Sequence, residues 1–257
     1  MRSPTSKSVA ECAEPMGSLG ATEFYTQHAQ PGFIEACYAS APPRIQAALA
    51  KEIEWLREKL NGAGRVLELG CGNGRLLAAL PDAARHWVGM DFLEAYLHDA
   101  RAHRRLAPTT GLTAGRARQL PFADSAFDGV VCAQSTLGLL GEEKLAALRE
   151  AARVTRPGGR LLFVVYSELS MVPRAEWYTE MHRRGMMAPL DWGRSTPDLL
   201  LTEDGHASEC FRHERLEELF QEAGLKVQLE RLGDIYWAAT AWLSSRVPIP
   251  SGRGICF

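Results

Sequence analysis

The sequence has no C-x-x-C pair, no extended basic run and no long apolar run. Its six cysteines, at positions 12, 37, 71, 132, 210 and 256, are scattered over 257 residues. Such spacing indicates neither a zinc site nor a disulfide framework. Cys71 and Cys132 fall at the ends of expected strands and read as reduced core thiols. No basic stretch exceeds Arg104-Arg105 or Arg183-Arg184. With 29 Lys and Arg against 31 Asp and Glu, the formal charge is −2, so a nucleic-acid partner is not expected. The first twenty residues lack an apolar h-region, and no apolar run approaches the about 18 residues a membrane helix needs. The reading is a cytoplasmic protein, without a membrane association, acting as a monomer or homodimer. No internal repeat is present.

What is there suits one compact enzyme. The apolar fraction of 46% and charged fraction of 23% are globular values, and the length sits at the upper end of a single domain. The most informative stretch is Arg65-Val66-Leu67-Glu68-Leu69-Gly70-Cys71-Gly72-Asn73-Gly74. It reads as a short apolar strand ending in a glycine-rich turn, with a helix starting at Arg75. Glycines permit positive φ and leave no Cβ between backbone and ligand. Strand, turn and helix N-terminus together make a nucleotide-sized site at the carboxyl edge of a parallel sheet. The dinucleotide fingerprint G-x-G-x-x-G would need glycine at 75, where arginine stands.

Around this turn the chain alternates strand and helix. A helix over 44–60 carries Ile45, Leu49, Ile53, Leu56 and Leu60 on one face. Strands are expected at 65–69, 86–90, 128–132 and 160–166, with helices at 93–103 and 142–154 between them and a turn at Arg156-Pro157-Gly158-Gly159. This order predicts a doubly wound parallel sheet with right-handed crossovers. A helix at 213–223 precedes two strands, 226–231 and 235–243, whose tight Gly233-Asp234 connection makes them an antiparallel hairpin. Residues 1–20 read as a disordered tail and 244–257 as a second tail, leaving 21–243 as the domain. Between about 167 and 211 the pattern fails. This stretch holds four of the seven methionines with Trp177, Tyr178 and Trp192. Its length suits a functional lid with short helices of its own.

The E-x-G-x-G-x-G pattern of Glu68, Gly70, Gly72 and Gly74 resembles the first motif of class I S-adenosylmethionine (SAM) dependent methyltransferases. Further blocks follow in order. Gly89-Met90-Asp91 ends the second strand. Gln119-Leu120-Pro121-Phe122-Ala123-Asp124-Ser125-Ala126-Phe127-Asp128 resembles the LPF-x-D-x-x-FD block of the ubiquinone and menaquinone methyltransferase-like (type 11) subgroup. Arg156-Pro157-Gly158-Gly159 matches that subgroup's turn before strand five. The resemblance covers residues 62–166 well, and 212–243 in topology only. It implies a Rossmann-like seven-stranded sheet of order 3-2-1-4-5-7-6, with only strand seven antiparallel and a helical lid after strand five.

The same resemblance implies site residues. Glu68, Gly70, Gly72 and Gly74 form the cofactor turn. Asp91 accepts the ribose hydroxyls with two carboxylate oxygens, its other reading being a helix cap, and Phe92 follows it. The subgroup's aspartate for the adenine amino group is replaced by Arg116, which has no acceptor, so the backbone of Ala117 and Arg118 is the expected contact. Gln134 follows strand four, facing cofactor and substrate. Tyr25 belongs to an N-terminal segment expected to fold over the cofactor, and Arg44 matches an arginine that holds the SAM carboxylate in related enzymes.

Methyl transfer from a sulfonium needs positioning more than acid–base chemistry. The sequence contains no unmistakable base and no metal cluster. Tyr178 and His206, in the lid, are the catalytic candidates. The lid aromatics suit an apolar acceptor, a cation, or simple packing of the lid onto the sheet. Three functions follow. The first is a SAM-dependent methyltransferase acting on a small-molecule metabolite. The second is a SAM-consuming enzyme that transfers no methyl, cyclising SAM to azetidine-2-carboxylate and methylthioadenosine. The third is a non-catalytic SAM-binding module.

Overall fold

The computed structural model describes residues 19–243. The expected tails lie outside the described residues, apart from residues 19 and 20, which begin a helix. Three helices open the described chain: α1 (Leu19–Gln27), α2 (Phe33–Ala39) and α3 (Pro43–Leu60). Then follow β1 (Ala63–Leu69), α4 (Arg75–Ala79), β2 (Ala84–Asp91), α5 (Glu94–His103), β3 (Gly111–Ala114), β4 (Phe127–Cys132), α6 (Lys144–Val154) and β5 (Thr155–Tyr166). The last part is α7 (Met171–Arg183), β6 (Leu199–Leu201), β7 (Ala207–Glu209), α8 (His213–Glu222), β8 (Leu225–Leu232) and β9 (Tyr236–Leu243).

Seven strands form one sheet of order β3-β2-β1-β4-β5-β9-β8. The pairs from β3 to β5 are parallel, and β9 runs antiparallel to both β5 and β8. This is the expected order, with β9 as the antiparallel seventh strand. Both faces are covered, and the strand side chains divide between them with the pleat's period of two. Val66, Val131, Leu162 and Val164 pack on the face that carries α3, while Leu67, Val130, Leu161 and Phe163 pack toward α6 and α8. The amphipathic stripe of α3 buries Ile45, Leu49, Leu56 and Leu60 as the periodicity predicts, with Ile53 only partly covered. The same face also buries Glu52.

Three local features differ from expectation. β3 is a four-residue edge strand with no fully buried side chain, and carries no apolar run to announce it. Arg156–Gly159 is a bulge inside β5, not a turn before it: Phe127 pairs with Thr155 and Gly129 with Arg160, so the intervening residues loop out, with Gly158 at φ 78°. The segment 167–211 holds one long helix and a short strand pair among irregular stretches. α7 is followed by the antiparallel pair β6–β7, register Leu200 to Ser208. Among the described residues no helix is long and apolar enough to cross a membrane.

Candidate active site

A cavity opens over the carboxyl ends of β1, β2, β4 and β5, walled on the far side by α1, α2 and the 167–211 segment. Its floor is the glycine turn. Gly70 and Gly72 adopt φ of 68° and 50°. A Cβ on Gly70 would lie 2.5 Å from Thr136 Cγ2, and one on Gly72 would lie 3.0 Å from Ile34 Cδ1, so both positions require glycine by conformation and by space. Gly72 N donates to Asp91 Oδ2 at 2.9 Å, and Leu93 N to Asp91 Oδ1 at 3.0 Å. Burial raises the Asp91 carboxyl above its ordinary range, while these amides and that of Phe92 pull it back. Each carboxylate oxygen accepts more than one hydrogen bond, so acceptor capacity remains for a ligand.

Beside the turn lies a buried charge network that motif reading did not disclose. Glu52 reaches in from α3. Its Oε2 accepts from Arg75 Nη2 at 2.5 Å and its Oε1 from Gln134 N at 2.7 Å. Gln134 and Ser135 hold left-handed φ of 49° and 57°, and the Glu52 bond secures that strained corner after β4. Tyr166 Oη donates to Gln134 Oε1 at 3.2 Å, and Gln134 Nε2 donates to Tyr236 Oη at 3.3 Å. The Arg75 guanidinium also lies 4.9 Å from the Tyr38 ring. Glu68 lines the cavity with Oε2 unpartnered, and burial pushes its carboxyl up to about 8 against the pull of Arg75.

Opposite this floor, His206, Tyr178, Tyr25 and Phe24 form an aromatic wall. His206 lies 4.4 Å from Phe24, 5.8 Å from Tyr25 and 5.9 Å from Tyr178 between ring centroids. Burial pushes the imidazolium down to about 4, Asp204 opposing and Arg174 and His28 adding, so the ring is neutral at pH 7. Its Nδ1 has no partner among the described residues. Trp177 also lines the cavity. Its Nε1 donates to Cys37 O at 3.0 Å and ties α7 to α2.

A methyltransferase-domain family model matches residues 66–159, from β1 to the bulge in β5. A demethylmenaquinone methyltransferase of Renibacterium salmoninarum is 29% identical over 65% of this chain and 73% of its own length. One from Beutenbergia cavernae is 36% identical over 46% of this chain and 50% of its own. Among solved structures, the DhpI complex with S-adenosylhomocysteine superposes with a TM-score of 0.63 at 18% identity, over 88% of this chain and 98% of that one. By these likenesses the chain is a SAM-dependent methyltransferase, its methyltransferase domain matched over residues 66–159. Its cofactor is SAM, and the cavity fits it: a glycine cradle that any Cβ would fill, a buried carboxylate at the end of β2, and an unpartnered Glu68 oxygen beside both.

In this methyltransferase the residues singled out from sequence divide in two. Tyr25, Glu68, Gly70, Gly72, Asp91, Phe92, Gln134, Tyr178 and His206 all line the one cavity. Gly74, Arg44, Ala117 and Arg118 do not. Gly74 is a packing glycine, its missing Cβ facing Ala100 at 3.2 Å. Arg44 stands at the surface with its side chain 56% exposed, paired to Asp234 at 2.8 Å. Arg118 turns outward to Glu143 at 3.1 Å. Arg116 is the residue of that loop on the cavity wall, its guanidinium 5.9 Å from the Phe92 ring. The cation that lines the cavity beside the glycine turn is Arg75, with Nη1 unpartnered. Among the described residues no group of three or more His, Cys, Asp or Glu side chains could hold a metal ion.

Proposed function

We propose that this methyltransferase methylates a small, largely apolar metabolite enclosed between the glycine turn and the aromatic wall. The observation that carries the reading is the single cavity that joins the two: Gly70, Gly72 and Asp91 on one side, Tyr178, His206, Met181 and Met187 on the other. SAM supplies an electrophilic methyl group on a sulfonium, and the chain's own residues do the rest. Asp91 and the turn hold the nucleoside end. Glu68, protonated in the ligand-free chain, would ionise to meet the cationic end of the cofactor's amino-acid chain. Tyr25, Phe24 and Tyr178 hold the acceptor and exclude water, which strengthens every polar contact inside. His206, neutral at pH 7, lines the wall beside Tyr178 and positions a hydroxyl acceptor. Segment 167–211 serves as the lid.

Incubation with SAM and a panel of small phenols, carboxylic acids and amines tests this, with nucleoside products read by mass spectrometry. S-adenosylhomocysteine that forms only with an acceptor, with the labelled methyl recovered on that acceptor, is the expected result. Methylthioadenosine formed from SAM alone, or no SAM binding by calorimetry, would overturn the reading.

A further inference from the structure

Arg174, on α7, is fully buried. Its Nη2 donates to Ser208 O at 2.5 Å and to Ser208 Oγ at 2.8 Å, and its guanidinium lies 4.2 Å from the Tyr166 ring. Its Nε and Nη1 have no partner in hydrogen-bond geometry among the described residues, the Cys210 thiol lying beside the guanidinium, so up to three of its five N–H bonds are unused. Among the described residues it makes no ion pair. The groups around it do not supply the missing charge either. Burial keeps the Cys210 thiol protonated against the pull of Arg174, the Tyr166 hydroxyl is likewise raised, and His206 and Ser208 are neutral. A guanidinium does not lose its proton. A buried cation without a counter-ion carries a desolvation cost. Two hydrogen bonds and the Tyr166 ring offset only part of it.

The place of this cation separates it from the cofactor. The glycine turn and Asp91 end β1 and β2. Tyr166 ends β5, two strands beyond β1 in the sheet, or about 10 Å at the usual strand spacing. Arg174 is not itself on the cavity wall, but Ser208 and Tyr166, which touch its guanidinium, both line the cavity. Ser208 belongs to the same segment as Tyr178 and His206. The cation is therefore set behind the acceptor's side of the cavity.

We propose that Arg174 is the recognition site for a carboxylate on the acceptor substrate. It completes a charge pair only when a small carboxylate with an apolar body fills the space between Tyr166, Ser208 and Tyr178. This rests on the methyltransferase reading above and adds the substrate's chemical class to it. Ser208 supplies the hydroxyl that turns the anion toward the guanidinium.

The test uses the full chain saturated with S-adenosylhomocysteine. Benzoate, phenylacetate and 3-phenylpropionate, and the amide of each, are titrated by calorimetry. At least one carboxylate is expected to bind ten-fold or more tighter than its amide. Arg174→Gln is expected to remove that preference, and Arg174→Lys to restore part of it, with S-adenosylhomocysteine affinity unchanged in both. No carboxylate exceeding its amide in the wild-type protein overturns the proposal, whether or not the variants fold. So does a loss of S-adenosylhomocysteine binding in a folded Arg174→Gln protein, which would assign the cation to the cofactor's own carboxylate. Absence of S-adenosylhomocysteine binding to the wild-type chain would instead overturn the methyltransferase reading.

Discussion

A valine at position 72 would have to adopt a φ of 50° and press its Cγ atoms toward Ile34, whose Cδ1 is already 3.0 Å from the nearest added carbon. The left-handed conformation costs about 1–2 kcal/mol, which a domain of this size absorbs. The fold should survive while the cradle is filled. Gly72→Val is expected to retain a cooperative thermal transition and lose measurable S-adenosylhomocysteine binding. Unchanged affinity in the folded variant would remove the turn from the cofactor site. Asp91 presents a different balance, because its oxygens already accept two backbone amides. Losing its charge-assisted contacts to a ribose should cost about 2 kcal/mol or more, so Asp91→Ala should weaken SAM by roughly 30-fold. A drop of less than threefold would make the carboxylate a cap for the Leu93 amide and nothing more.

Glu68 gives a pH signature. Burial holds its proton in the folded chain up to about pH 8, whereas an exposed glutamate in the unfolded chain releases it near 4.5. Between those values the folded state binds more protons than the unfolded one, so stability falls as pH rises. The contribution is complete below about pH 4.5 and is lost as pH passes through about 8. Urea midpoints measured from pH 5 to 8.5 on ligand-free protein should decline more steeply for wild type than for Glu68→Gln. Parallel profiles would show that Glu68 is ionised in the folded protein throughout.

At the scale of elements, the segment from Ser167 to Phe211 is where helix, hairpin and N-terminal helices meet over the cavity. Tyr178 and Trp177 both line that cavity, and Trp177 is additionally pinned by its indole N–H to Cys37 and Ser40. Tyr178→Ala should lower turnover while SAM affinity stays within a few fold, because the turn and Asp91 belong to the sheet edge. Hydrogen exchange over α7 should slow on ligand binding more than in β1 or β5. Full activity in Tyr178→Ala, or outright loss of SAM binding, would end this division between sheet edge and lid. The sheet was legible in the sequence because its strands are short apolar runs punctuated by glycine, and because the Leu120-Pro121-Phe122 and glycine blocks fall at element ends. β3 was not, since an exposed edge strand needs no apolar run. The β6–β7 pair was not, since three-residue strands carry too little periodicity to register. Of the candidate site, the residues on the glycine turn and the end of β2 were readable from motif spacing. Arg44, Ala117 and Arg118 were placed by analogy of position; Arg44 pairs with Asp234 at the surface, and Ala117 and Arg118 flank the cavity without lining it.

At the scale of the molecule, the three helices before β1 meet the cofactor edge of the sheet through a buried acid as well as through the apolar stripe of α3. Glu52 sits on the apolar stripe of α3, three residues after Leu49 and four before Leu56. A carboxylate in the middle of such a stripe was the one sign in the sequence that a polar partner waits beneath it. The partner is Arg75, the first residue of α4, and the second oxygen holds the strained Gln134 corner. One side chain therefore fixes a cap helix, the helix after the glycine turn and the corner after β4. Removing it leaves the largely buried Arg75 without its counter-ion, a loss that in other buried pairs amounts to about 3–5 kcal/mol. Glu52→Leu should lower unfolding stability by about 3 kcal/mol and speed amide exchange at Gln134, both without touching the cofactor directly. The double variant Glu52→Leu with Arg75→Leu should recover part of that loss, since it removes both charges and leaves apolar groups against Tyr38. Urea denaturation of the two single variants and the double one measures the coupling. If the double variant is as unstable as the sum of the singles, the pair does not act as a unit, and the attachment of the cap to the sheet rests on its apolar stripe and on outer contacts such as Trp55 to Glu230.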